Sequence, residues 1–292
     1  MVSRRWSTPT GETSFAFSAS TSVGTVRAVN EDSYVAEPPV FLVADGMGGH
    51  ARGDAASAAV VEAFAQRAAS TQPWSPDAVL DAIQSAHSAI AGLADGEDLA
   101  GTTLTGVVLV TTGASPAQLD EVTVDSGAEA EAVELRYRWM VVNVGDSRVY
   151  ELDAEGLRQL TVDHSLVQEL VEQGVITEAQ AHSHPERNVI TRALGVASEL
   201  SPDVLLLSAE GAHTFLVCSD GVSGAVGLAE LESVLRSEAP DAAAAAIVEL
   251  ALDSGSRDNV TAIVLAASVS TADPSAPPVA QFEQTQPRGD VA

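Results

Sequence analysis

The 292-residue chain is 46% hydrophobic and carries 41 acidic against 14 basic side chains, for a formal net charge of −27. That length suits one large α/β domain or two small ones, and the apolar content excludes global disorder; the acidity opposes nonspecific binding to nucleic acid or anionic lipid. Every basic residue is Arg and the one cysteine is Cys218, which excludes a Walker-type lysine, a kinase ATP lysine, a Schiff-base lysine, an internal disulfide and a cysteine-based zinc cluster.

Residues 1–13 are polar and are expected to form a flexible N-terminus. Alternation over 14–21, 33–37 and 40–44 predicts early strands of one sheet. Ala-rich stretches at 53–70 and 75–94 place apolar residues at helical spacing and predict two amphipathic helices in tandem. Strand character returns at 104–111, and the acidic 113–134 reads as a long hairpin loop. Strands follow at 135–144 and 147–152, joined by the tight Gly145-Asp146 turn. Residues 165–195 break the pattern with helical pieces at 165–173 and 177–181 and the irregular His182-Ser183-His184-Pro185, as a flap over a site would. Strands resume at 204–207 and 213–218, helices are predicted over Leu228–Ser237 and 241–252, and a last strand over 260–267. This order argues for one layered α+β domain over 14–267, followed by a disordered Pro-, Ser-, Thr- and Gln-rich tail at 268–292. No apolar run reaches membrane-spanning length and no signal-peptide core is visible, which points to a cytoplasmic protein without a membrane span.

Aspartates recur where apolar strands stop. Val40-Phe41-Leu42-Val43-Ala44 ends on Asp45-Gly46, and Thr214-Phe215-Leu216-Val217-Cys218-Ser219 ends on Asp220-Gly221. Gly145-Asp146-Ser147 closes a third strand, and Ser256-Arg257-Asp258-Asn259 opens a fourth. Carboxylates at the mouths of apolar strands are costly to desolvate unless a positive charge meets them, and several together suit hard divalent cations with oxygen ligands. Glycine after Asp45 lets the Gly46 carbonyl approach such an ion. Each motif alone is also compatible with an ordinary Asp-Gly turn, and Glu31 and Asp32 with a solvated face. Arg27, four residues before Glu31, is a fork-shaped cation suited to phosphate. Asn259 is placed to bond nearby backbone. Cys218, inside an apolar strand, reads as a core residue.

Taken together, eight motifs carry a family resemblance. Arg27-Ala28-Val29-Asn30-Glu31-Asp32, Val43-Ala44-Asp45-Gly46-Met47-Gly48-Gly49-His50, Gly101-Thr102-Thr103, Val144-Gly145-Asp146-Ser147-Arg148, Leu160-Thr161-Val162-Asp163-His164-Ser165, Ile190-Thr191-Arg192-Ala193-Leu194-Gly195, Cys218-Ser219-Asp220-Gly221 and Ser256-Arg257-Asp258-Asn259-Val260-Thr261 occur in this order. The order resembles that of the metal-dependent PPM protein phosphatases, the protein phosphatase 2C-like enzymes, and most closely the bacterial Ser/Thr phosphatases that oppose Hanks-type kinases. The resemblance covers about residues 14–267. It implies a four-layer α-β-β-α sandwich of two antiparallel sheets flanked by helices, with Mn²⁺ or Mg²⁺ at one edge. It further implies that Asp45 bridges two core ions, that the Gly46 carbonyl binds one of them, and that Asp220 and Asp258 complete the other. A third, weaker ion would lie on Asp146 and Asp220, Glu31 would hold a metal-bound water, and Arg27 would orient the phosphate.

The implied activity is that of a protein-serine/threonine phosphatase, a phosphoric monoester hydrolase. A metal-bridging water or hydroxide held by Asp45 attacks phosphorus directly, without a covalent phosphoenzyme. The implied partners are phosphorylated proteins, Ser/Thr kinases among them, for an enzyme expected to be a monomer that reverses Ser/Thr kinase signalling. Eukaryotic relatives place a histidine, the proposed leaving-group acid, directly after the Asp-Gly pair. Here Met47 stands there, and His50 substitutes only if the glycine turn folds it back; water, or no protein acid, is the expected alternative. His164, His182 and His184 lie beside or within the flap and read as structural or substrate-facing. His87 and His213 read as plain helix and strand residues. Other readings are a dedicated regulatory phosphatase with one partner, a catalytically dead phosphoprotein binder, and a calcium module. The retained aspartates disfavour the second, and the lack of an EF-hand pattern disfavours the third.

Overall fold

The computed structural model describes residues 2–8, 11–48, 52–69, 73–93, 100–113, 136–196 and 200–271. The apolar runs form strands buried on both faces, because alternate side chains of one strand enter two different cores. In β4 (Val40–Met47), Val40, Leu42 and Ala44 join one apolar cluster while Phe41 and Val43 join another. In the strand Gly211–Cys218, Phe215 and Val217 share that second cluster, and Leu216 and Cys218 enter a third. Three apolar clusters separate four layers: helices, sheet, sheet, helices.

One sheet runs in the order β1 (Val2–Thr8), β2 (Gly11–Ser22), β12 (Val260–Thr271), β11 (Gly211–Cys218), β8 (Arg148–Leu152) and β9 (Leu157–Gln159). The other runs β10 (Asp203–Ser208), β7 (Arg136–Val144), β6 (Leu104–Thr112), β4 and β3 (Asp32–Glu37), with β5 (Gly101–Thr102) paired to β4. Every pairing is antiparallel. Helices α1 (Gly53–Ala68) and α2 (Pro76–Ala91) cover the β4 sheet through Val60, Phe64, Ile83 and Ile90. Ser75 caps α2 by accepting the Ala78 amide at 3.2 Å, and Pro76 fits the first helical position. Between the sheets, Trp139 packs edge-on against Phe215 at 5.3 Å and Phe15 at 6.4 Å between ring centres. Full burial of such a ring is worth roughly 2–3 kcal/mol.

Within 165–195 lie two short helices, α3 (Leu166–Glu172) and α4 (Glu178–Ala181), capped by Ser165 and Thr177. A short α5 (Asp220–Ser223) follows β11, and α6 (Leu228–Ser237) and α7 (Pro240–Asp253) cover the β11 sheet. The ends of the flap are anchored, since Ser165 bridges Ile190 and Leu194 bridges Thr102. Between these anchors most residues are exposed.

The two layers of sheet and helix agree with the expected α+β sandwich. Differences concentrate where partners are distant in sequence. β1 forms within the stretch expected to be flexible, by pairing along β2 from Val2↔Phe17 to Thr8↔Gly11. β12 continues to Thr271, past the predicted end at 267, because β2 and β11 flank it on both sides. Strands β5 and β9 and helix α5, each four residues or fewer, carry too little periodicity to be read. The predicted loop at 113–134 lies outside the described residues except for Gly113, as does the tail from residue 272. Among the described residues no helix is long and apolar enough to cross a membrane.

Candidate metal centre

At one end of the inter-sheet core the apolar alternation continues in phase but turns polar. On β4 the residue after Phe41 and Val43 in that phase is Asp45, and on β3 Ala36, packed on the same core, shares its phase with Asp32. On β12 the phase of Ile263 and Leu265 gives Thr261, and beyond β11 that of Phe215 and Val217 gives Ser219. Asp32 and Asp45 are direct ladder partners. Two sheets thus deliver carboxylates and hydroxyls to the same mouth.

The backbone there is tightly held. The Asp45 amide donates to Thr103 Oγ1 at 3.0 Å, and its carbonyl accepts from the Thr103 amide and Thr102 Oγ1, each at 2.9 Å. The Gly46 amide donates to the Glu31 carbonyl at 3.1 Å. A methyl group on Gly46 would lie 2.1 Å from the Gly53 carbonyl oxygen, so only glycine lets β4 pass α1 here. Gly46→Ala is therefore expected to destabilise the fold by more than about 3 kcal/mol, read as a lowered urea midpoint; an unchanged midpoint would contradict this close approach. Asp220 opens α5 behind Ser219, with Gly221 pressed against the Asn259 carbonyl, which a methyl would approach to 1.9 Å. Asn259 accepts the Glu31 amide at 2.8 Å and donates to the carbonyls of Val23 at 3.0 Å and Val29 at 2.9 Å. It thereby fastens the loop that carries Arg27. Arg27 Nη2 donates to Asp258 Oδ2 at 2.7 Å.

Electrostatically, burial and mutual repulsion of the carboxylates outweigh the pull of Arg27 and Arg148. Burial, then Asp32, Asp220, Asp146 and Asp258, push the Asp45 carboxyl well above its ordinary range. Asp32 is pushed up to about 6 by burial and by Asp220 and Asp258, against hydrogen bonds from Thr261 and Ser219. Asp146 is pushed up to about 7 by burial, Asp220 and Asp163. Burial and Asp258 raise Asp220, opposed by a hydrogen bond from Asp45. Glu31 is raised by burial and, among its neighbours, by Asp54, against the pull of Arg27. The only cysteine is unsuited to nucleophilic work, since burial pushes the Cys218 thiol up to about 12.

Asp45, Gly46, Asp220, Asp258, Asp146, Glu31 and Arg27 therefore come to one place. Whether they suit a divalent cation is decided by their donors. The set is all oxygen, and Oδ1 of Asp32, Asp146 and Asp220 is buried without a hydrogen-bond partner. Unpartnered buried carboxylate oxygens are rare and costly, and oxygen-only clusters fit Mg²⁺ or Mn²⁺. Among the described residues no three of these groups stand at closed metal-ligand spacing; Asp258 is turned onto Arg27 and Asp45 onto Asp220. The donor chemistry fits, and closing the set needs side-chain rotation. His50 lies outside the described residues.

Asp32 is a site residue that sequence reasoning passed over. It is buried, and its Oδ2 accepts from Ser219 Oγ at 2.8 Å and Thr261 Oγ1 at 2.6 Å. Its phase with Ala36 was the available signal. His87 also does more than fill a helix: its Nδ1 accepts the Gly195 amide at 3.1 Å, anchoring the flap's end to α2.

The family profile described as Protein phosphatase 2C matches residues 25–251. The chain is 36% identical over 252 residues to the serine/threonine protein phosphatase PstP of Mycobacterium tuberculosis, covering 85% of this chain and 44% of that protein. It therefore spans less than half the length of that relative. To the serine/threonine phosphatase stp of Listeria innocua it is 32% identical over 260 residues, covering 83% of this chain and 92% of the other. A crystal structure of the catalytic domain of PstP in complex with 2 manganese ions superposes with a TM-score of 0.71 at 33% identity, covering 88% of this chain and 99% of that one.

Proposed function

The chain belongs to the protein phosphatase 2C family, and on that premise we propose that it is a metal-dependent protein-serine/threonine phosphatase. It hydrolyses phosphoserine and phosphothreonine in proteins, Ser/Thr kinases among them, as a cytoplasmic monomer. The observation that carries this reading is the cluster of carboxylates at the mouth of the sandwich, with buried, unpartnered oxygens on Asp32, Asp146 and Asp220. The phosphatase domain takes in residues 14–267, with β1, the start of β2 and the end of β12 extending its first sheet beyond those bounds and 165–195 as its flap.

Divalent ions, Mn²⁺ or Mg²⁺, would supply Lewis-acid polarisation of the phosphoryl oxygens and lower the pKa of a bound water. Asp45, the Gly46 carbonyl, Asp220 and Asp258 would hold the two core ions, and Asp146 with Asp220 would hold a third. Glu31 and Asp32, set side by side by the β3 start, orient water. The hydroxyls of Ser219 and Thr261 on Asp32 fix its carboxylate plane. Arg27 receives the substrate phosphate; its guanidinium exchanges Asp258 for phosphoryl oxygens, a bidentate pairing its fork favours. No protein acid stands directly after Gly46, where Met47 lies, so the leaving oxygen takes its proton from water.

Hydrolysis of a phosphothreonine peptide under Mn²⁺ titration, with EDTA as control, tests the assignment. Metal-dependent phosphate release is the expected result, and a folded, Mn²⁺-loaded protein that releases none would move the chain to phosphoprotein binding without turnover. Arg27→Ala is expected to raise KM for the peptide about 10–100-fold, the cost of a charged hydrogen-bond pair, while Mn²⁺ affinity changes less. The reverse pattern would mean that Arg27 serves Asp258 rather than phosphate.

A further inference from the structure

His164 is 4% exposed, a buried imidazole where three parts of the chain meet. These are the turn that carries Asp146, the returning limb of the flap, and the start of β10. The Gly145 amide donates to Nδ1 at 3.1 Å. Nδ1 is thus an acceptor, and the ring proton sits on Nε2. Nε2 lies 3.2 Å from Asp203 Oδ2. Arg192 Nη1 is also 3.2 Å from Nε2, but two donors do not bond each other. The guanidinium bonds Asp203 Oδ1 instead, at 3.0 Å.

The main chain doubles each link. The His164 amide donates to the Gly145 carbonyl at 2.9 Å, and the Thr191 amide donates to the His164 carbonyl at 2.8 Å. Asn143 Nδ2 bonds the carbonyls of Gly145 at 3.1 Å and Val162 at 2.9 Å, and Asn143 is the ladder partner of Asp203. Gly145, at φ +112°, leaves no room for a side chain beside Thr103. Meanwhile Asp146 Oδ1 is buried and bonded to nothing. The aim of that carboxylate is inherited from its turn.

We propose that His164 is a positioning residue: it holds the Gly145-Asp146 turn in the orientation that lets Asp146 take a divalent cation, and links that orientation to Arg192 in the flap. The proposal rests on the metal-centre reading above, and gives the flap a path of direct contacts to one carboxylate of the centre. Removal of an outer-shell partner of this kind typically weakens metal binding 10–100-fold.

Mn²⁺ binding to the full chain, followed by calorimetry and by electron paramagnetic resonance, tests it without reference to turnover. Asp146→Ala first identifies the binding event that belongs to Asp146. His164→Phe keeps a ring and removes both nitrogens; it is expected to weaken that event about 10–100-fold and spare the tighter ions. His164→Asn restores an acceptor near the Nδ1 position and is expected to recover most of the loss. Should the Phe variant not fold, Asp203→Ala, at a half-exposed position, carries the test by removing the carboxylate that lies beside Nε2 and accepts from Arg192, and a several-fold weakening is expected. A folded His164→Phe that binds like the unsubstituted protein would overturn the proposal, as would an Asn variant as weak as Phe or, in its absence, an unaffected Asp203→Ala. If the unsubstituted protein takes up no Mn²⁺, the metal reading falls first and this proposal with it.

Discussion

Asp45→Asn is expected to lower phosphopeptide hydrolysis by about 10³-fold or more, the rate equivalent of several kcal/mol of lost Lewis-acid stabilisation. Asp45 is the carboxylate on which the other aspartates of the cluster act: Asp32, Asp220, Asp146 and Asp258 all raise it. It is also the one held on three sides by Thr102 and Thr103. Asparagine keeps the shape and the backbone bonds but removes the charge that the proposed metal ligand supplies. The same substitution is expected to raise the melting temperature of the metal-free protein at pH 8 by a few degrees, because one repelling charge leaves a buried cluster. Loss of turnover together with a gain in metal-free stability is a signature that simple misfolding does not produce. Full activity in the Asn variant would contradict the metal-ligand role proposed for Asp45.

Raising the pH is expected to destabilise the metal-free protein. Asp32 moves from an ordinary 3.8 to about 6 and Asp146 from 3.8 to about 7 in the folded chain, chiefly through burial. Asp45 and Asp220 are raised as well, by burial first and by their neighbours second. A folded-state value above the unfolded one means that the folded protein binds more protons, so stability falls as pH rises. The contribution is complete below the unfolded value near 4 and is lost as pH passes about 6 and then about 7. In EDTA, the melting temperature is expected to drop by roughly 10 °C between pH 4.5 and pH 8. Saturating Mn²⁺ should reverse the drop at pH 8, where the carboxylates are free of protons and bind best. Asp146→Asn should flatten the upper part of the profile, since it removes the group that titrates near 7. A melting temperature independent of pH in EDTA would show that burial does not raise these carboxylates in the folded protein.

Legibility followed the range of the interactions. The runs around Phe41 and Phe215 were readable as strands because every residue is apolar, which happens when both faces of a sheet are covered. The helices around Val60, Ile83 and Ile247 were readable by period, with ends displaced by only a few residues. β1, by contrast, lies in polar sequence and exists through its ladder with β2. At the site, Asp45, Asp220, Asp146 and Asp258 stood out because each interrupts an apolar strand end or a tight turn. Asp32 did not, because it sits in a polar run beside Asn30 and Glu31, and only the ladder opposite Asp45 gives it meaning. Likewise nothing near His164 in sequence announces Asp203, which lies in another sheet position 39 residues on.

By itself, then, the sequence determined the chemistry: oxygen ligands without lysine, a buried thiol, and glycines where strands must approach one another. Those properties belong to residue types and to neighbours along the chain. Tertiary structure alone decided which charges face each other, for Arg27 meets Asp258 from 231 residues away and Asp32 meets Thr261 from 229. It also decided how strongly each carboxylate holds its proton, because that depends on the depth to which two sheets bury it and on the charges the other sheet brings.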